Sequence, residues 1–187
     1  GDFNSAVFLS KGLRGPRRMV AKIRAKFGGL ESDEYARRLD AVGRLYNTAL
    51  LVIERNEYGL AVIEETLKLR YPTGRLFHDV TVGEEVKELS QKIGWWTSRS
   101  ASGGGSKPIL LEGISQAVRD ELYEIRDPEM IAALKSCVVY DNGTVGDASG
   151  HTPDDVMGLG MAIQGVGYGG AGFQRHWSKA NLREVEE

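Results

Sequence analysis

Three acidic side chains occur where a folded chain could bring carboxylates together. Glu54 directly follows the apolar run 48–53, and Asp154 and Asp155 follow Pro153 at the predicted start of a helix. An apolar run between two helical patterns is typical of a central parallel strand buried on both faces, and open α/β sheets place their sites at the carboxyl ends of such strands. Carboxylates without a cysteine–histidine cluster favour magnesium or manganese over zinc. Two such ions about 4 Å apart are the usual apparatus of phosphodiester cleavage.

Each of these acids also has an ordinary structural interpretation. Glu54 could be a solvated residue after the strand has ended, and its position favours neither interpretation. Acids in the first turn of a helix stabilise its dipole, and Asp155 follows Thr152 at the capping-box separation. A cap is therefore the better interpretation of Asp155, whereas Asp154 is less well explained by capping. His151 could be a hydrogen-bond partner of a ligand or an occasional ligand, although a lone histidine is more often structural.

The strongly basic part of the chain is a predicted hairpin near its start. The apolar run 5–10 and the alternating segment 19–27 predict two antiparallel strands, because period two is the strand signature. Between Lys11 and Lys26 there are seven basic residues and no acidic one, although the net charge of the chain is −2. Segregated charge creates a local positive field that could bind DNA phosphates; the ordinary alternative is a solvated strand face. The predicted DNA-binding residues are Arg17, Arg18, Lys22, Arg24 and Lys107.

The remaining pattern predicts the elements that must position these residues. After the hairpin, helical stripes alternate with short apolar runs, so we expect an α/β chain with a mixed sheet and helices on its faces. The predicted helices cover about 32–46, 58–70, 108–122, 127–134 and 152–163, and the predicted strands after the hairpin cover 48–53, 75–82 and 138–140.

Composition limits the class of protein. The chain has 187 residues, of which 41% are hydrophobic and 27% charged, and a single cysteine, Cys137. This length suits one domain with a core that needs no disulfide or structural metal, and a lone cysteine favours a reducing compartment. No apolar run approaches the roughly 20 residues of a membrane span. The chain starts with neither a signal peptide nor a methionine, so we expect a fragment of a longer protein.

Four motifs, in this order, carry a family resemblance. Residues 1–7 are similar to a strand that opens with Asp-Tyr-Ser-Ala, and residues 45–59 to a strand that ends in Glu-Arg-Asn and leads to a glycine early in the next helix. Gly94-Trp95-Trp96-Thr97 follows, with Lys107-Pro108 downstream, and residues 150–157 are similar to a helix start with His and Asp-Asp. Together they resemble the nuclease domain of the large terminase subunit of tailed bacteriophages, the DNA-packaging motor protein.

The resemblance implies a fold, an activity and partners. It implies an RNase H-like domain over 1–165, with helices on both faces of a mixed sheet, followed by a poorly ordered tail over 166–187. The implied activity is a divalent-metal-dependent endonuclease, with two Mg²⁺ or Mn²⁺ ions, that cuts concatemeric double-stranded viral DNA during packaging. The implied partners are double-stranded DNA, the terminase ATPase domain, the small terminase subunit and the portal protein. The implied location is the host cytoplasm, without membrane contact.

By position, five residues match the family's site. Glu54 and Asp154 match metal-binding carboxylates and the catalytic pair, with Asp155 and His151 adjacent, and Asp2 matches an accessory acidic position. In the family, an essential aspartate lies on a first strand that precedes the Asp-Tyr-Ser-Ala segment, and this sequence begins after that point. We therefore expect that strand to be absent, unless Asp2 replaces its aspartate, and the fragment to be inactive without it. No Walker A pattern occurs, so we expect the ATPase half to be absent too.

Two other interpretations stay open. The first is a non-catalytic DNA-binding or scaffold domain of the packaging motor, in which the acids are caps and solvated charges. The second is another RNase H-like nuclease, such as a junction resolvase or a ribonuclease. A shared metal site requires the carboxylates of Glu54 and Asp154 to lie within about 8 Å of each other. Carboxylates on opposite faces of the sheet would exclude the nuclease.

Overall fold

The computed structural model describes residues 3–10, 17–26, 29–78, 93–97, 106–139, 145–147 and 153–167. Asp2, His151 and the tail from 168 onward lie outside these residues. The elements are β1 (Phe3–Leu9), β2 (Arg17–Lys26), α1 (Ser32–Leu45), α2 (Glu57–Lys68), α3 (Ser106–Arg119), β3 (Tyr123–Glu124), α4 (Pro128–Ser136), β4 (Val138–Val139), β5 (Val145–Gly146) and α5 (Asp154–Gly167), with a 3-10 turn at Thr73–Arg75.

The first two strands form the predicted antiparallel hairpin. Ala6 pairs with Ile23 on one face, and Ser5 pairs with Arg24 on the other. β2 also pairs in parallel with the two-residue strand β3, so the sheet is mixed with the order β1-β2-β3. The α/β class with a mixed sheet is thus confirmed, whereas an RNase H-like arrangement stays a prediction.

Helices pack on both faces of this hairpin. On the face of Ala6, Phe8 contributes to a buried core with Tyr35 and Leu39 of α1. On the opposite face, α5 packs against β1. A Cβ atom added to Gly158 of α5 would lie 3.5 Å from the side chain of Val7. The hairpin is therefore a middle layer, and its two sets of alternating side chains meet different helices.

The predicted central strand is an extended segment over residues 49–55. Leu51 pairs in parallel with Leu76, and Glu54 pairs in parallel with Trp95. Four backbone hydrogen bonds of 2.7 to 2.8 Å hold these two pairings. The segment therefore has the predicted parallel pairing, but as two isolated bridges to separate pieces of chain rather than one continuous ladder.

This central segment is buried on both faces, as its apolar sequence predicts. Leu51 and Ile53 belong to the core that α1 and α2 cover. Val52 points the other way, because side chains alternate along an extended chain. It packs against a second core, which consists of Phe77, Trp95, Leu110 and Met161.

The helices begin within two residues of their predicted starts. Asn56 caps α2, and Asp127 caps α4. Each side-chain oxygen accepts a hydrogen bond of 2.7 Å from the backbone N–H of the residue three positions later. α5 begins at Asp154, two residues after the predicted start at 152. It ends at Gly167, four residues beyond the predicted end, so residues 166 and 167 are helical rather than part of the predicted tail. β3 and β5 had no signal in the sequence. Among the described residues, no helix is both long enough and apolar enough to cross a membrane.

Candidate functional site

Glu54 stands at the end of the central segment in a fixed local frame. Its Cα pairs with that of Trp95, and its Oε2 atom accepts a hydrogen bond of 3.2 Å from the Asn56 side chain. The Asn56 oxygen caps α2 at the Gly59 N–H. A Cβ atom at Gly59 would lie 1.7 Å from the Glu54 carbonyl oxygen, so only glycine allows α2 to start this close behind Glu54. This geometry explains the early glycine that the sequence shows.

By the alternation of the central segment, Glu54 lies on the face of that segment that α5 covers. Val52, two residues earlier, faces α5, since a Cβ atom on Gly165 would lie 2.8 Å from its side chain. Residues two apart along an extended chain share a face, so Glu54 shares that of Val52. Trp95, which pairs with Glu54, belongs to the core against which Val52 packs. Glu54 and the helix that begins at Asp154 therefore occupy one side of the segment; the separation of their carboxylates stays a prediction.

The adjacent acids at the start of α5 have opposite environments. Asp154 is exposed, whereas the side chain of Asp155 is only 3% exposed. The Asp155 carboxylate accepts a hydrogen bond from the Ser5 hydroxyl of β1. Its Oδ2 atom lies 3.4 Å from Arg24 Nε and 3.8 Å from Lys22 Nζ on β2. Its partners are thus side chains of the hairpin, whereas the predicted capping partner, Thr152, lies outside the described residues.

Lys22 connects the hairpin to two helix starts. Its side chain is 8% exposed, and its Nζ atom lies 2.7 Å from Asp127 Oδ1 and 2.8 Å from Glu129 Oε2 of α4. Arg24 also lies 3.5 Å from Glu129. We call these contacts the Lys22 network, which consists of Lys22, Arg24, Asp127, Glu129 and Asp155.

The charges of the Lys22 network change one another's pKa. Burial lowers the pKa of the Lys22 ammonium, but its hydrogen bonds to Asp127 and Glu129 and the charge of Asp155 outweigh burial and raise that pKa overall. In return, the hydrogen bonds from Lys22 lower the pKa of both Asp127 and Glu129. All three groups are therefore held in their charged forms near neutral pH.

The Lys22 network removes the positive charge that the sequence predicts for this part of the hairpin. It holds two cations against three carboxylates, so its formal charge is −1 rather than positive. Arg18 pairs with Glu124 at 2.8 Å, and the Arg17 guanidinium lies 5.7 Å from the centre of the Tyr123 ring. The expectation that these cations have no acidic neighbour holds along the sequence but is wrong in the folded chain. DNA binding by this face, and by the half-buried Lys107 at the start of α3, stays a prediction.

A tyrosine pair that the sequence did not single out lies near the start of α5. The ring centroids of Tyr35 and Tyr58 are 6.2 Å apart, and Tyr58 belongs to the first turn of α2, just after Glu54. Burial raises the pKa of Tyr35, and the charges of Asp155 and Asp154 raise it further. Tyr35 is thus within electrostatic reach of the start of α5 and in ring contact with the start of α2.

The described residues offer few groups to a metal ion. Among them, no three His, Cys, Asp or Glu side chains gather closely enough to hold one. Two members of the predicted site, Asp2 and His151, lie outside the described part of the chain. Of the predicted ligands that are described, Glu54 is half-buried and Asp154 exposed, whereas Asp155 is committed to Lys22, Arg24 and Ser5.

Comparison with known proteins adds no relative. No protein-family model matches the chain, and no curated protein is significantly similar to it. The terminase resemblance therefore depends on the order of the four motifs in the sequence.

Proposed function

We propose that this chain is the nuclease domain of a phage DNA-packaging terminase, an RNase H-like, divalent-metal-dependent endonuclease that cuts concatemeric double-stranded DNA. The observation that supports this most is that Glu54 and α5 lie on the same side of the central segment, because a metal site needs both carboxylates on one side of it. The opposite arrangement would have excluded a joint site.

Glu54 and Asp154 are the proposed ligands. Their oxygen donors suit Mg²⁺ or Mn²⁺, and a pair of such ions activates water and stabilises the leaving oxygen in phosphodiester hydrolysis. Asn56 orients the Glu54 carboxylate through the 3.2 Å hydrogen bond. Asp155 is excluded from the ligand set in this proposal, because a metal at its carboxylate would compete with two cations that already contact it.

Two backbone edges that no described residue pairs with are compatible with one more strand. Within the described residues, β1 pairs only with β2, and the backbone groups of Leu50, Val52 and Glu54 make no backbone hydrogen bond. A strand paired with the edge of residues 50–54 would run beside Glu54, and one paired with β1 would run beside Ser5, which contacts Asp155. The resemblance implies such a strand upstream, with an essential aspartate, so the proposed active form is the chain extended upstream.

A non-catalytic scaffold domain is the second candidate. The Lys22 network favours it, because there the acids of two helix starts act as structural charges rather than as ligands. Under this hypothesis Glu54 and Asp154 are solvated acids, and neither divalent metal nor an upstream extension creates nuclease activity.

The test is a plasmid-cleavage assay. Supercoiled plasmid is incubated with this chain, and with the chain extended upstream, in Mg²⁺, Mn²⁺ or EDTA. We expect the extended chain to nick and linearise DNA with either metal and not with EDTA, and Glu54→Gln and Asp154→Asn to abolish cleavage. No cleavage by the extended chain would contradict the proposal and favour the scaffold. A strong preference for four-way junctions or RNA–DNA hybrids would instead favour a resolvase or ribonuclease.

A further inference from the structure

The start of α5 is attached to β1 at two points. The Ser5 hydroxyl donates a hydrogen bond to the buried carboxylate of Asp155. One turn further, a Cβ atom on Gly158 would lie 3.5 Å from Val7 and 3.7 Å from the Ser5 carbonyl oxygen, so the helix backbone lies directly on the strand. These two contacts fix both the position of the first turn of α5 and its rotation about the helix axis.

Arg24 completes this attachment from the neighbouring strand. It pairs with Ser5 across the hairpin, and its Nε atom lies 3.4 Å from Asp155 Oδ2. A buried carboxylate is costly unless it is hydrogen-bonded and paired with opposite charge. The hairpin supplies both, so the chain keeps Asp155 inside and turns its neighbour, Asp154, outward.

We propose that Ser5 and Arg24 are positioning residues that act through Asp155. They fix the first turn of α5 and thereby the direction in which Asp154 presents its carboxylate. The role of Asp154 as a metal ligand rests on the function proposed above, whereas the attachment of the helix start does not. In this arrangement Arg24 holds the start of α5 rather than a DNA phosphate.

The first arm of the test measures the attachment itself by amide hydrogen exchange in the full chain. The amides of Val156 and Met157 donate to the Pro153 carbonyl in the first turn of α5. Ser5→Ala removes a hydrogen bond to a charged group, so we expect first-turn exchange to be about ten- to a hundredfold faster. Ser5→Thr keeps the hydroxyl and should restore the slow rate. Unchanged exchange in both Ser5→Ala and Arg24→Gln would overturn the inference.

The matched control is Ser10→Ala on the same hairpin. The Ser10 hydroxyl accepts a 3.0 Å hydrogen bond from the Arg18 N–H and belongs to the turn end of the hairpin. Its loss should leave the first turn of α5 unaffected. Equal acceleration in Ser10→Ala and Ser5→Ala would show general loosening of the hairpin and would overturn the inference. Thermal unfolding of every variant identifies any that fail to fold, and Asp155→Asn, which keeps the side-chain shape, then replaces Ser5→Ala.

The second arm measures Mn²⁺ affinity by calorimetry with Mn²⁺ alone as the probe. We expect Ser5→Ala to weaken binding about tenfold, Ser5→Thr to restore it and Ser10→Ala to leave it unchanged. Faster exchange with unchanged Mn²⁺ affinity would reduce Ser5 to a stability role and overturn its positioning role. Mn²⁺ binding that Glu54→Gln and Asp154→Asn do not alter would instead contradict the proposed function, while the exchange arm would still decide the attachment.

Discussion

Replacement of Lys22 by methionine is the sharpest test of how the hairpin works. Methionine keeps much of the apolar stem of the side chain but removes the ammonium that contacts Asp127, Glu129 and Asp155. Three carboxylates then remain around one cation, Arg24. We expect the variant to be less stable, because Asp127 loses its ion pair and the buried Asp155 loses one of its two cations.

The expected loss follows from the burial of each contact. Removal of one partner of a buried ion pair costs about 3–5 kcal/mol, whereas exposed pairs contribute little. Lys22 is 8% exposed, but Glu129 is 61% exposed, and Asp155 keeps Arg24 and Ser5. The loss should therefore lie near the lower limit, at about 3 kcal/mol. For a chain of this length that corresponds to a decrease in melting temperature of about 6–12 °C.

The pKa shifts also predict how the stability loss in Lys22→Met depends on pH. Lys22 lowers the pKa of Asp127 and Glu129. These carboxyls stabilise the wild type above their unfolded pKa of about 4, and this contribution is lost as the pH falls through their folded pKa. Lys22 has a raised pKa, so its contribution is lost only as the pH rises above about 10.5. The stability gap between wild type and Lys22→Met should thus be widest near pH 7 and narrow towards pH 3.

Urea unfolding at pH 7 and at pH 3 measures this gap directly. The matched control is Lys68→Met, because Lys68 also contacts a carboxylate, Glu65, at 2.6 Å, but its side chain is 67% exposed. We expect the control to retain nearly wild-type stability at both pH values. Equal losses of stability in the two variants would refute the argument that burial makes the Lys22 network stabilising. A stability gap between wild type and Lys22→Met that does not change with pH would refute it too.

Three further predictions concern the site. Gly59→Ala should lower the free energy of unfolding, measured in urea, by about 3 kcal/mol or more, because its Cβ would lie 1.7 Å from the Glu54 carbonyl oxygen. A variant as stable as the wild type would contradict the close approach of α2 to Glu54. Glu54→Ala should abolish plasmid cleavage by the extended chain with little loss of melting temperature, and retained cleavage would remove Glu54 from the site. In duplex-binding titrations, the double variant Arg17→Gln/Arg18→Gln should flatten the slope of log K against log salt by at most about 1.8, at 0.9 per phosphate. The single variant Arg24→Gln should leave this slope unchanged. A flatter slope in Arg24→Gln would identify Arg24 as a DNA contact.

The parts of the fold that sequence could predict depend on local signals. The alternation of residues 19–27 predicts β2 because the period of two is visible without its partner strand. The apolar run 48–53 predicts burial on both faces, and Leu51 and Val52 do pack against different cores. The helix start at Asp127-Pro128 is similarly local, since the cap and the fixed proline angle involve neighbouring residues.

The Lys22 network could not be predicted because its partners are distant in the chain. Lys22 and Asp127 are 105 positions apart, and Ser5 and Asp155 are 150 apart. A sequence window shows seven cations and no acid, which favours a nucleic-acid surface. Folding brings acids of α4 and α5 onto the same strand face and neutralises part of that charge. The sign of a strand face therefore depends on the helices that cover it as much as on its own residues.

Asp154 and Asp155 show why adjacent acids need a structure to separate their roles. A helix of 3.6 residues per turn directs consecutive side chains about 100° apart, so two adjacent acids can lie in different environments. From the sequence, the capping pattern predicts a cap at Asp155, and the family motif predicts a metal ligand at Asp154. In the folded chain, Asp155 is buried against two cations and a hydroxyl, and a metal there would have to displace them. Asp154 is exposed on the turn that those contacts fix. The pair therefore divides into one buried acid that holds the helix start in place and one whose side chain is exposed.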